Sequence, residues 1–399
     1  MEEVSREKVV GFRQDIRELL KRRVAEAVEL VLKEELAEAL GTTWYERSAV
    51  RRGYRNGSEE RLITTSQGTR RIEVPRGRVA KPGGKTVEFR SQLLPRYARR
   101  TREIDEVILS CYLAGANSRR VKKALAPLLG EKHLSKSAVS RVVGRLKELF
   151  TAWLARDLSG ERYPILFLDG FNLKVRMARR VVSVPVLAVL GVRDSGEKVL
   201  LSLRLAPSEA AANWSAVIVD LQRRALSTPA LLVIDGHQGL GKALDEWKGA
   251  KVQRCTVHKL RNLSDACPVH ARREMQRDYQ RITHADDGLR ARRAYEAFLA
   301  KWSQLCPPVA RSLEEAGQEL LTFYEFPKAM WKSLRSTNAI ENLNREFRRR
   351  TKTQASFSTE EAGITLLYGL IAFGQIKLNK IQGYRGLEAL DGRAQAQAA

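Results

Sequence analysis

Between residues 160 and 258 the chain passes through three consecutive apolar runs of strand length, then a helical run, a strand, a helix and a strand, and few architectures accept that order. The strand-like runs are YPILFLDGFNLKVR, VVSVPVLAVLGVRDSG and EKVLLSLRLA; NWSAVIVDLQRRAL has helical spacing; ALLVIDG, GLGKALDEW and KVQRCTVH complete the series. The alternation predicts an α/β core with helices laid on a sheet. Asp169 closes one apolar strand, in ILFLDG, and Asp235 closes another, in LLVIDG, each followed by glycine. Ligands gather at the strand ends of such sheets, and neighbouring strands would bring these two carboxylates together. A plain turn is the commoner meaning of Asp-Gly after a strand, and any one acid can be a cap or a salt-bridge partner.

Two carboxylates side by side repel unless a cation sits between them, and hard oxygen donors with open positions suit Mg2+. A third acid would complete a two-metal site, with ions roughly 3.5 to 4 Å apart serving the attacking and leaving oxygens of a phosphoryl displacement. The segment STNAIENLNREFRRRTK (residues 336–352) offers Glu341, an acid in a helix otherwise rich in Arg345, Arg348, Arg349, Arg350 and Lys352. Facing metal, Glu341 would leave those cations to grip phosphates on the other faces. Glu346, five residues on, points elsewhere on a helix.

Lys and Arg number 71 against 46 Asp and Glu, a formal charge of +25, which predicts a polyanionic partner. Double-stranded DNA is the expected one. An acidic membrane is the weaker reading, since no apolar run approaches the length of a bilayer span. MEEVSREKVVGFRQDIRELL has no signal-peptide core, so the expected location is cytoplasmic, at the nucleoid when DNA is bound. Four scattered cysteines are too few for a disulfide scaffold and are read as reduced.

Seven segments are expected. Residues 1–42 carry apolar positions at helical spacing (Phe12, Ile16, Leu19, Leu20, Val24, Val28, Val31, Leu32, Leu36) and read as one or two amphipathic helices open to oligomerisation. Residues 43–100 read as a small Arg-rich β or extended module whose Arg51, Arg52, Arg55, Arg76 and Arg78 would contact phosphates, or as a solvated linker. Residues 101–158 outline a helix-turn-helix: Asn117 or Ser118 and then Ser135 as caps, Val139, Val142, Val143 and Leu146 inward. Lys136, Ser137, Ser140, Arg141 and Arg145 face outward as a groove-reading surface, or the three helices pack without DNA. Residues 159–262 form the first part of the α/β core, 263–332 an all-helical insertion, 333–385 the last part of the core with the Glu341 helix, and 386–399 a flexible tail.

LFLDGFNLKVR, LLVIDGHQGLGKALDEW, VQRCTVHKLRN and STNAIENLNREFRRRTK, together with GTTWYERSAVRRGYRNG and TRRIEVPRGR, resemble the signature blocks of mutator-type bacterial insertion-sequence transposases from about residue 35 to about 380. The resemblance implies a DDE transposase with an RNase H-like core built on a mixed five-stranded sheet, the helical insertion preceding its last acid. The triad falls on Asp169, Asp235 and Glu341: Asp169 would bridge two Mg2+ ions, with Mn2+ able to substitute, and the other acids would hold one each. The implied reaction cuts a phosphodiester at the terminal inverted repeats and transfers the freed 3′ hydroxyl to target DNA, with a homodimer or larger assembly pairing the ends. The family also carries a C-x-x-H pair, here Cys255 and His258. Cys267 and His270 repeat the spacing, but Pro268 interrupts them and the interval is short, so the first pair is read as bracing the core rather than as a zinc site. His237 is expected beside the scissile phosphate or packed in the turn after Asp235, Asn338 and Arg261 near DNA, and Trp247 packed on the helix after Asp235. A nuclease or resolvase without strand transfer, and a DNA-binding regulator without catalysis, are the alternatives.

Overall fold

The computed structural model describes residues 2–44, 46, 49–81, 85–116, 118–129, 134–177, 180–236, 238–352, 357 and 359–387; the side chains of 2–14, 17, 118, 119, 127, 128, 136, 177, 238, 242 and 245 are outside that description. Two compact units result, Met1–Arg145 and Leu146–Ala399.

In the first unit α1 (Glu2–Leu40) is one long helix. Only its second half finds cover: Ala25, Leu32, Leu36 and Leu40 are buried, whereas Ile16, Leu19, Leu20 and Val31 of the expected stripe are exposed. The Arg-rich segment is a sheet and not a linker. β1 (Gly53–Thr65) and β2 (Gly68–Ala80) form an antiparallel hairpin, and β3 (Thr86–Glu88) pairs with β2. Ile63, Ile72 and Val74 project from one face of the hairpin onto Leu32 and Leu94, so helix and hairpin share a core. Gly77 permits this, because a Cβ there would lie 2.7 Å from a methyl of Leu36. Three helices follow, α2 (Arg102–Leu113), α3 (Ser118–Leu129) and α4 (Lys136–Leu154). Ile104, Ile108, Val121, Leu125, Val139 and Val142 are buried, and the expected Ser135 cap is present, its hydroxyl accepting from the Ala138 N–H at 3.1 Å. Asn117 lies outside the described residues.

The second unit is built on a five-stranded mixed sheet. β4 (Ile165–Met177), β5 (Arg180–Val192) and β6 (Lys198–Leu205) are antiparallel neighbours; β7 (Leu231–Ile234) and β8 (Lys251–Arg254) add in parallel on the other side of β4, giving the order β6-β5-β4-β7-β8. α5 (Ala211–Arg223) and α6 (Gln238–Ala243) cover one face, where Trp214, Val217, Ile218 and Leu221 meet Leu166, Leu168, Leu187, Val189 and Ile234. A second core lies among helices: α7 (Thr256–Ala266), α8 (Arg272–Thr283), α9 (Gly288–Leu305) and α10 (Pro307–Ala316) enclose Met275, Tyr279, Phe298, Trp302 and Leu313. A short α11 (Trp331–Leu334) leads to α12 (Asn338–Thr351), and α13 (Glu360–Ala372) closes the unit. None of the described helices is long and apolar enough to cross a membrane. The expected tail lies outside the described residues except for Gly386 and Leu387, which end a short 3-10 turn.

Two strand boundaries differ from the sequence reading. β4 does not end at Asp169: it runs on to Met177, because Phe171, Leu173 and Val175 alternate inward with exposed Asn172, Lys174 and Arg176 while pairing with β5. β8 stops at Arg254, and Cys255 caps α7 rather than continuing the strand.

Candidate active site

Strand register brings Asp169 and Asp235 together. β4 and β7 are parallel with Leu168 opposite Ile234, so the next residue of each chain is an acid, and there β7 ends while β4 continues. Alternation along β4 sends Leu166 and Leu168 toward α5, and Asp169 with Phe171 to the opposite face, where α12 lies. Asp235 leaves the strand into a turn at Gly236, whose φ is +93° and whose carbonyl accepts from Arg254 Nη2 at 3.0 Å. A side chain at Gly236 would collide with that guanidinium at 2.4 Å.

α12 packs on β4 through Phe347, whose ring centroid lies 5.6 Å from that of Phe171. That docking brings Glu341 and Asn344, one helical turn apart, onto the sheet side. Asn344 is buried and donates from Nδ2 to Asp169 Oδ2 at 2.7 Å, while its Oδ1 has no hydrogen-bond partner. Burial first, then the negative charges of Asp235 and Glu341, push the Asp169 carboxyl up to about 7, against the opposing effects of His258 and the Asn344 amide. The two other acids are therefore felt at Asp169.

Glu341 has a second set of partners. Its Oε1 accepts from Thr337 Oγ1 at 2.6 Å and lies 3.8 Å from His258 Nδ1. The Thr337 N–H points to Cys255 Sγ at 3.3 Å, and Thr256 donates its N–H and its hydroxyl to the Arg335 carbonyl, both at 2.9 Å. The C-x-x-H turn thus latches the residues that precede α12. Hydrogen bonding to Cys255, partly opposed by burial and reinforced by the charges of Cys255, Glu341 and Asp235, pushes His258 up to about 9. Burial works to raise the Cys255 thiol, but its bonds with His258 and Thr337 outweigh that and lower it. Among the described residues, donor atoms of Cys255, His258 and Glu341 lie within 4.8 Å of one another, a spacing the three acids do not share as a set. Cys267 is buried in the helical core and His270 is exposed; neither belongs to this cluster.

The residues expected on DNA divide. Arg345, Arg348, Arg349 and Lys352 are exposed on α12, with Arg345 bonded to Asn342 at 2.6 Å and Arg349 to Glu346 at 2.7 Å; Arg350 is half-buried and donates to the Gln375 carbonyl. Glu346, as its position five residues on requires, serves Arg349 and not the acids. Asn338 and Arg261 are exposed at the start of α12 and on α7. In the first unit Arg51, Arg52, Arg76, Arg78, Ser137, Ser140 and Arg141 are exposed. Arg55 instead turns inward to the Thr42 and Thr43 carbonyls at 2.8 and 3.2 Å and stacks on Trp44, and Arg145 is paired with Asp105. The Lys136 side chain and all of His237 lie outside the described residues. Trp247 is buried in the core beneath α5.

The sequence model described as "Transposase, Mutator family" matches residues 2–375. The transposase for insertion sequence element IS905 of Lactococcus lactis is 33% identical over 353 residues, covering 88% of this chain and 87% of its own. That for IS1081 of Mycobacterium tuberculosis is 34% identical over 356 residues, covering 89% and 84%, and that for IS256 in transposon Tn4001 of Staphylococcus aureus is 29% identical over 344 residues, covering 84% and 85%. Among solved structures, the Drosophila P element transposase strand transfer complex aligns with 71% of this chain and 83% of its own at 9% identity, with a TM-score of 0.30, too low to carry an assignment.

Proposed function

Because the chain belongs to the Mutator family of transposases, we propose that Asp169, Asp235 and Glu341 form its DDE catalytic triad and that it cuts and joins DNA at the inverted ends of an insertion sequence. The observation that carries this reading is the register that sets Asp169 beside Asp235, with Glu341 of α12 close enough to raise the Asp169 carboxyl. A sheet of three antiparallel strands extended by two parallel ones, with helices on both faces, supports an RNase H-like core, and the helices within residues 263–332 would supply the insertion ahead of the last acid.

The donor set fits hard divalent cations: three carboxylates, one of them disfavoured as an anion by burial and then by the other two, and the orphaned Asn344 Oδ1. Two Mg2+ ions held there would activate the attacking oxygen and stabilise the leaving one. The protein's own contribution is placement. Asn344 fixes one oxygen of Asp169, Thr337 fixes one oxygen of Glu341, and Arg254 fixes the turn that carries Asp235. The hydrogen bonds that lower the Cys255 thiol and raise the His258 imidazole tie the C-x-x-H turn to Thr337, which supports a bracing role. Exposed Arg345, Arg348 and Lys352 on α12 would hold phosphates, and the exposed basic residues of the hairpin and of α4 the terminal repeats. Pairing two ends requires at least a homodimer, to which the exposed Ile16, Leu19 and Leu20 face of α1 would contribute.

Labelled DNA carrying the element's terminal repeat tests the reading. Native protein should cut and join it in Mg2+, while Asp169→Asn, Asp235→Asn and Glu341→Gln should bind it without chemistry. Cleavage without joining would favour the nuclease reading, and binding with no cleavage by native protein the regulator.

A further inference from the structure

A groove of about 510 Å3 in the first unit is lined by parts of β1 and β2 and by the segment after β3, with Arg76, Arg90, Arg96, Arg99 and Tyr97 around it and two carboxylates, Glu59 and Glu88, in its lining. Tyr97 is out of place by ordinary rules. The residue is 80% exposed and its φ is +68°, in the left-handed region that bulky residues avoid. It sits third in a turn closed by the Ala98 N–H on the Pro95 carbonyl at 3.0 Å, a position that favours glycine or asparagine.

Among the described residues the exposed ring gains little from packing beyond the Arg96 guanidinium. The turn is nonetheless held firmly. Arg61 donates to the Ala98 carbonyl at 2.8 Å, and Arg96, its guanidinium 5.2 Å from the Tyr97 ring centroid, pairs with Glu88 at 2.7 Å. Backbone strain maintained by its surroundings is a mark of functional positions. In the same groove, Arg76, Arg90 and Arg99 make no ion pair among the described residues. An exposed aromatic face on a held turn, in one groove with guanidinium groups that make no ion pair among the described residues, fits a chain of phosphates bearing flat bases. In a duplex the base faces are covered by their neighbours, so only an unpaired nucleotide can stack on this ring.

We infer that the groove binds an unpaired DNA strand, with Tyr97 stacked on a base and Arg76, Arg90 and Arg99 on the phosphates. The inference deepens the proposed function and rests on it, the strand being one opened at an element end.

The test uses the full chain, an oligothymidylate about 20 nucleotides long and a duplex of about 30 base pairs. Tyr97→Gly should weaken oligothymidylate binding about tenfold, given that stacking on one aromatic changes affinity by roughly 5- to 150-fold. It should leave duplex binding within about twofold and raise the melting temperature, because glycine is at ease at this φ. Tyr97→Phe should keep the native affinity, and Arg90→Gln should flatten the salt dependence of oligothymidylate binding by about 0.7 in log–log slope. Unchanged oligothymidylate binding by Tyr97→Gly overturns the inference, as does an equal loss for both DNAs with a lowered melting temperature. Failure of the triad reading shows separately, as absent strand joining by native protein while the Tyr97→Gly difference persists.

Discussion

Replacing Asp169 by asparagine should stabilise the metal-free protein while ending catalysis. The native carboxyl is buried and is displaced from 3.8 to about 7, chiefly by burial and then by Asp235 and Glu341. A displacement of roughly three units corresponds to a ceiling of about 4 kcal/mol. The folded state holds the proton more tightly than the unfolded chain, so native stability falls as pH rises from about 4 to about 7, and the loss is complete above that. An asparagine in place of Asp169 would not titrate and would keep an oxygen for the Asn344 amide, whose bond to Asp169 is 2.7 Å long. Its advantage should therefore be largest at pH 8, on the order of 2–4 kcal/mol or roughly 5–15 °C for a unit of this size. Calorimetry in EDTA at pH 8 and pH 4.5 reads it directly: a clear gain at the higher pH and about a quarter of it at the lower. Added Mg2+ should then raise the native melting temperature more than that of the variant, since only the native site binds it well. A variant equal to or less stable than native protein at pH 8 in EDTA would refute the burial and repulsion of the Asp169 charge on which the metal site is argued.

Asn344→Ala should lower the cleavage rate about 10- to 100-fold with circular dichroism unchanged, because a hydrogen bond to a charged group contributes roughly 1.5–3 kcal/mol. Glu346→Gln should cut and join like native protein and shift denaturation midpoints by less than about 0.5 kcal/mol, its partner being the exposed Arg349. Trp214→Ala, emptying a side chain 1% exposed beneath the sheet, should cost about 3–5 kcal/mol in urea denaturation.

The order of strands and helices was legible because apolar runs of strand length cannot be mistaken for loops, and it carried Asp169 and Asp235 with it. The boundary of β4 was not, since Asp-Gly reads as a stop, while the period-two pattern after it (Phe171, Leu173, Val175) reads as strand and is obeyed. Glu341 stood out as an acid among arginines. Asn344 did not, because a lone asparagine in a charged helix looks like surface; its signal was its place three residues after Glu341 on one helical face. Charge alone likewise could not separate Arg76, exposed on β2, from Arg55, whose guanidinium is bound to main-chain carbonyls. Apolar spacing in α1 showed a stripe but not how much of it would be covered: Leu32, Leu36 and Leu40 are buried and Ile16 and Leu19 are not. The hairpin of residues 53–80 was legible only as a β or extended module, since arginines fill its exposed positions and Ile63, Ile72 and Val74 give its inner face.

Anomalous diffraction from crystals grown in Mn2+ locates the ions and so tests the triad most directly. The account predicts density bounded by the carboxylates of Asp169, Asp235 and Glu341, lost in Asp169→Asn. Density held instead by Cys255 and His258 with Glu341, and none at Asp169, would contradict it.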